Sequence, residues 1–275
     1  MRNRRQGFPV LSYGINFAEM PVFRGVWQTN CPIIGHVLIL ALDTSSPSGS
    51  VAVLRDDKII GSVSTWTDEV YSARMFRHVE FLLQELSLRL DELDLFAVAA
   101  GPGSFTGLRV GLAAVKGWSE VYRKPVAAIS GLEAVAVQSH SRVPLLVPVL
   151  DARRSQIYFA CYRRADGTQL ALEGQECVST PEEFLHTIEP LAREADLAIV
   201  TPIPALLGSV LSRLETSRTP GTVTIDEVLP VLAPHLGRLG YQRALRGELA
   251  DALTLDANYV RRSDAEMNWK DSGGS

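Results

Sequence analysis

The chain has 275 residues, of which 46% are hydrophobic and 21% charged, with a formal net charge of −4. That suffices for one large or two modest globular domains, and the acidic balance argues against a protein that grips RNA or DNA by itself. Cys31, Cys161 and Cys177 form no Cys-x-x-Cys pair and suit a reducing cytoplasm, and no apolar run approaches the roughly 20 residues of a membrane span.

Residues 1–36 mix Gly, Pro, Arg and single aromatics without a 2- or 3.6-residue period. They read as a loose, dispensable extension, with Val37 as an alternative translation start. The apolar run Ile33–Leu42 runs into Asp43 where a signal peptide would carry a small-residue cleavage site, so it reads as a first strand. Strands are expected over Val37–Leu42, Ser50–Leu54 and Lys58–Thr65. An amphipathic helix is expected over Ser72–Leu90, with Met75, Phe76, Val79, Leu82, Leu83, Leu86 and Leu90 on its apolar stripe. Phe81 falls off that stripe, beside Arg74, His78 and Glu85. Leu95–Ala100 reads as a central strand, Thr106–Tyr122 as a helix, Pro125–Ile129 as a strand and Gly131–Ser139 as a helix.

A second unit opens with a strand over Leu145–Leu150, ending at Asp151-Ala152-Arg153-Arg154. Strands over Gln156–Arg163 and Gln169–Val178 meet at an Asp166-Gly167 turn. A helix over Pro181–Leu191 with Thr180 as N-cap, a strand over Leu197–Val200 and helices over Ala205–Leu214 and Leu232–Leu249 follow. The order of three strands, helix, strand, helix occurs twice, which suggests an α/β fold of two topologically related lobes. No sequence-level repeat accompanies it.

The most informative stretch is Ala99–Gly111. An apolar strand enters the Gly101-Pro102-Gly103 turn, which opens into a helix carrying Gly107, Gly111 and Gly117. Such a junction directs backbone N–H groups and the positive end of a helix at one spot, either for an anion or for a close backbone approach. Asp43-Thr44-Ser45 is a second turn of this kind, where hydroxyls and amides could hold a phosphate. Asp151-Ala152-Arg153-Arg154 emerges at a strand's carboxyl end, where open α/β sheets bind ligands, or is a solvated turn. His78 and Glu80 lie on different faces of their helix, and no histidines stand at i and i+4, so no zinc-binding helix is present. Ser104 has no sequence context that marks a catalytic base.

Ile39–Ser45, Gly101–Gly111, Lys124-Pro125-Val126, Ser130-Gly131-Leu132-Glu133, Asp151–Arg154 and Asn258-Tyr259-Val260-Arg261-Arg262 closely resemble the TsaB (YeaZ) family, over about Val37–Glu266. The resemblance implies a two-lobed, actin-like ATPase fold of ribonuclease H-like units, divided as 37–144 and 145–266 with a tail over 267–275. It implies a non-catalytic subunit in the formation of threonylcarbamoyladenosine beside the tRNA anticodon. The partners implied are a TsaD-like catalytic subunit, a TsaE-like ATPase reached through the complex, tRNA only indirectly, and a second copy of the chain when isolated; no cofactor and no metal are expected. TsaD-like chains carry Asn-His-Leu-Glu-Gly-His where this chain has Ser130-Gly131-Leu132-Glu133-Ala134-Val135, so both metal-binding histidines are replaced, by Gly131 and Val135. The glycine pair expected in the second lobe of an active actin-like ATPase is also missing around Thr201–Pro204. The partner surface implied lies on the first lobe's helices, with Arg74, His78, Phe81, Gly107 and Gly111 as candidate contacts. Asp43, Thr44, Ser45, Gly101, Gly103 and Ser104 are candidate vestigial phosphate-binding residues. The alternatives are a stand-alone nucleotide-binding protein and a glycoprotease-like metallopeptidase.

Overall fold

The computed structural model describes residues 36–66, 71–165, 169–208, 210, 213, 221–250, 255–258 and 260. The extension over 1–35, the Asp166-Gly167 turn, most of the second half of the Ala205–Leu214 helix, and residues 261–275 lie outside the described residues. Pro204–Leu207 forms a 3-10 turn.

Two five-stranded sheets organise the chain. The first contains β1 (Leu38–Asp43), β2 (Ser50–Arg55), β3 (Lys58–Ser64), β4 (Leu95–Gly101) and β5 (Val126–Ser130), in the order β3-β2-β1-β4-β5. The second contains β6 (Leu145–Arg153), β7 (Gln156–Arg164), β8 (Leu170–Ser179), β9 (Leu197–Thr201) and β10 (Val223–Glu227), in the order β10-β9-β6-β7-β8. In each, the first three strands form an antiparallel meander and the last two add parallel to the other side. β6 is thus the topological counterpart of β1. The two sheets thus repeat one topology, as an α/β fold of two related lobes does.

Strand periodicity distributes the core. Ile39 and Ala41 of β1 face a cluster shared with Leu146, Tyr158 and Val200 of the second sheet, while Leu40 and Leu42 face the opposite side. There α1 (Tyr71–Glu85) and α2 (Phe105–Tyr122) cover them with Met75, Val79, Leu82, Leu112 and Val115. On the outer face of the second sheet, α4 (Pro181–Glu194) buries Phe184, Leu185 and Ile188. Its Thr180 N-cap forms a capping box with Glu183. The short helix α3 (Gly131–Ala136) lies in the shared core.

Three elements differ from expectation. α1 stops at Glu85, because Ser87 takes a left-handed φ of 52° and the chain re-enters as a 3-10 turn at Leu90–Glu92. β10 carries no sequence signal, since Val223-Thr224-Ile225-Asp226-Glu227 is a short edge strand that buries none of its residues. The last helix, α5 (Ala233–Leu245), follows the second sheet in the chain but packs on the first: Ala233 N–H donates to Ser50 Oγ at 3.0 Å, and Gly237 and Gly240 sit against Leu54 and Ala97.

α5 also carries His235, whose pKa is pushed down to about 4, first by burial and then by the Arg238 charge. The unfolded chain protonates a histidine near 6.5, so between about 6.5 and 4 the unfolded form binds more protons. Stability is therefore expected to fall as pH drops through that window. In urea titrations at pH 7 and pH 5, His235→Gln should shrink the difference; an unchanged difference would remove His235 as its source.

Candidate functional site

The β1–β2 turn and the start of α2 form one packed unit. The buried Asp43 carboxylate is held by its own turn: Oδ1 accepts from the Ser45 amide at 2.8 Å and the Ser45 hydroxyl at 2.6 Å, and Oδ2 accepts from Ser46 Oγ at 2.7 Å. The glycine loop closes over this turn. Ser104 N–H donates to Ser45 O at 2.9 Å, and Thr44 Oγ1 donates to Gly107 O at 2.7 Å. Ser104 caps α2, its hydroxyl accepting from Gly107 N–H at 3.2 Å.

The structure thus brings Asp43, Thr44 and Ser45 together with Gly103, Ser104, Gly107 and Gly111. What approaches the glycines is the protein's own backbone. A Cβ at Gly107 would stand 1.9 Å from the Thr44 carbonyl oxygen, and one at Gly111 would stand 2.3 Å from Thr44 Oγ1. The Ser104 and Gly107 amides, which a phosphate would need, are spent inside the chain. Gly101, at φ +124°, serves a different contact: a Cβ there would lie 2.5 Å from the Asn258 carbonyl oxygen, and Asn258 N–H donates to Ala100 O at 2.7 Å.

Three of the five candidate partner contacts point inward. Gly107 and Gly111 are buried under Thr44 as described. Arg74 is buried too: it donates to Thr65 O at 3.3 Å and to Thr65 Oγ1, and its guanidinium lies 5.1 Å from the Tyr71 ring centroid. The reason is local, since α1 packs that flank against the end of β3. His78 is half-buried with Nδ1 3.1 Å from Tyr71 Oη, and burial followed by the Arg74 and Arg77 charges lowers its pKa. Phe81 stays exposed.

The apolar surface lies elsewhere. Phe76, assigned by periodicity to the core, is 54% exposed, and Val121 is 72% exposed. Ala113, Gly117 and Val121 repeat every four residues along α2 and are all exposed, so they form one stripe. Trp118 lies beside that stripe and meets Phe76 edge-to-face at 6.1 Å, joining the two helices into one surface. Phe81 lies roughly 140° around α1 from Phe76, on the far flank. The available signal was the composition of α2, which is apolar or small on more faces than one sheet can cover.

A cleft of about 780 Å³ is lined by Ser130, Glu133, Tyr162, Glu176, Arg243 and Asn258, among others. Glu176 of β8 accepts from Ser130 Oγ and, at 2.7 Å, from Asn258 Nδ2, and burial raises its pKa. Glu133 pairs with Arg243 at 2.6 Å. These carboxylates are committed to ties between segments, and among the described residues no three His, Cys, Asp or Glu side chains are grouped to hold a metal.

Residues 58–217 match the family described as TsaD: tRNA N6-adenosine threonylcarbamoyltransferase. The chain belongs to the TsaD family. Its relatives place it in the TsaB (YeaZ) branch. It is 28% identical over 242 residues to the tRNA threonylcarbamoyladenosine biosynthesis protein TsaB of Bacillus subtilis, covering 85% of this chain and 98% of that one. It is 27% identical over 158 residues to the Escherichia coli protein of the same name, covering 57% and 68%. Among solved structures, YeaZ from Pseudomonas aeruginosa superposes with a TM-score of 0.63 at 26% identity, covering 81% of this chain and 99% of that one. No helix among the described residues is long and apolar enough to cross a membrane.

Gly131 and Val135 stand where the resemblance implies metal-binding histidines in TsaD-like chains. Both are buried, and neither side chain has a lone pair to offer a transition metal. The dialysed protein is expected to hold well under one equivalent of zinc or iron by elemental analysis. A stoichiometric content of either would contradict this.

Proposed function

We propose that this chain is a non-catalytic, cytoplasmic subunit of a tRNA N6-adenosine threonylcarbamoyltransferase complex. It docks on a TsaD-like catalytic subunit through the face of α1 and α2, within a first lobe spanning 37–144. The observation that carries this reading is the continuous exposed surface of Phe76, Ala113, Gly117 and Val121, apolar at its centre and without cover among the described residues. A small-residue stripe beside an aromatic lets a partner helix approach closely and still gives it an anchor. The same face accommodates a second copy of the chain when the partner is absent. A TsaE-like ATPase joins through the complex, and no cofactor is assigned.

The non-catalytic reading is supported by the loop chemistry. A stand-alone nucleotide-binding protein would need free amides in the Gly101–Gly107 loop, but those of Ser104 and Gly107 already have acceptors. A metallopeptidase would need ligands at 131 and 135. In a reconstituted reaction with a TsaD-type subunit, a TsaE-type ATPase, threonylcarbamoyl-adenylate and tRNA, modification should require this chain. It should also survive Asp43→Asn in any variant that folds. Modification at full rate without the chain would overturn the proposal.

A further inference from the structure

The Asp151–Ser155 turn is the counterpart of the Asp43 turn. β1 and β6 hold equivalent places in the two sheets, and each carries at or near its carboxyl end an aspartate whose Oδ1 accepts the amide two residues on, Ser45 at 2.8 Å and Arg153 at 2.7 Å. In the first lobe the turn is buried beneath the glycine loop. In the second it is open: Arg153, Arg154 and Ser155 are exposed.

Its backbone is costly. Arg153, Arg154 and Ser155 have φ of 63°, 54° and 57°, and the two-residue connection between β6 and β7 is Arg154-Ser155. A hairpin with two left-handed central residues favours Asn-Gly, and each ordinary residue there costs about 1 kcal/mol or more. Arginine thus stands where glycine would relieve the strain, and strained backbone of this kind clusters at functional sites. Ala152 is buried in the core between the sheets, which roots the turn firmly. Asp151 Oδ2 lies 3.7 Å from Arg153 Nε and holds that guanidinium beside the turn.

We propose that Arg153 and Arg154 contact the phosphodiester backbone of tRNA. This rests on the reading of the chain as part of a tRNA-modifying complex, and it adds a direct contact to one otherwise made through the partner. Guanidiniums match phosphate oxygens in a bidentate fork. Neither Arg153 nor Arg154 lines the interlobe cleft or the smaller cavity beside α5, so the pair meets a phosphate presented from outside rather than an enclosed nucleotide. One or two contacts suit a chain of net charge −4, which orients RNA without holding it alone.

The test assembles the isotope-labelled full-length chain with a TsaD-type protein, titrates the complex with an anticodon stem–loop RNA and follows the backbone amide shifts of the labelled chain. Shifts concentrated at Arg153–Ser155 are expected, and the double variant Arg153→Ala, Arg154→Ala should bind about tenfold more weakly, with a salt slope smaller by roughly 1.5–2. Arg154→Gly separates strain from function: it should bind RNA more weakly while unfolding at higher urea. No shifts at the turn, or shifts that persist in the double variant, would overturn the proposal. So would a double variant that loses affinity for a TsaD-type protein instead of RNA. Complex formation with that protein is measured separately and depends on α1 and α2, so failure of the docking proposal would be recognisable as its own result.

Discussion

Gly107→Ala is expected to destabilise the protein by about 2–3 kcal/mol. The new Cβ would stand 1.9 Å from the Thr44 carbonyl oxygen. That atom is backbone, in a turn fixed on one side by the Asp43 carboxylate and on the other by the Ser104–Ser45 hydrogen bond. No rotamer change relieves the overlap, so α2 must move off the sheet and lose contacts at Leu108, Leu112 and Val115. Intrinsic propensity acts the other way, because alanine is favoured over glycine within a helix by up to about 1 kcal/mol. Gly117→Ala isolates that second effect, since a Cβ there meets nothing within 4 Å. Urea unfolding should show a large loss at 107 and a gain of a few tenths to about 1 kcal/mol at 117. Equal responses at both positions would show that α2 does not approach the turn this closely.

The asymmetry between these glycines marks how far the sequence can be read. Three glycines inside one helix announce a close approach, but their spacing does not say what approaches. The structure answers with Thr44 at two of them and with solvent at the third. Phe76 shows the same limit. It sits at the margin of the apolar stripe of α1, and whether a marginal residue is covered depends on where α2 lies, which is a tertiary fact. The burial of Arg74 is not legible from the helix alone, because beside Tyr71, one turn earlier on α1, it depends on Thr65 just past the end of β3. Local chemistry was legible wherever one element settles it: the Thr180 cap, the alternating faces of β1, and the anchored turn at Asp43. β10 was not legible, because an edge strand with no buried residue needs no apolar pattern. The return of α5 to the first sheet is a matter of chain routing, and short-range periodicity is silent about it. The pairing of Asp43 with Asp151 became visible only once the strand order showed that β1 and β6 are equivalent.

The docking face is the central claim, and Val121 is its most sensitive point. The side chain is 72% exposed near the end of α2, so a charge there should leave the fold within about 0.5 kcal/mol of its original stability. Buried at the centre of an interface, the same charge would lose its hydration without gaining a partner. Phe81, on the opposite flank of α1, serves as the comparison, and Phe81→Glu should weaken binding only slightly. The direct measurement is a calorimetric titration of a TsaD-type protein with the full chain, the Val121→Asp variant and the Phe81→Glu variant. The expected result is a saturable complex with the unaltered chain, weakened at least about thirtyfold by Val121→Asp, in keeping with the loss of roughly 2 kcal/mol at an interface hot spot. A folded Val121→Asp protein that binds as tightly as the unaltered chain would contradict the assignment of this face.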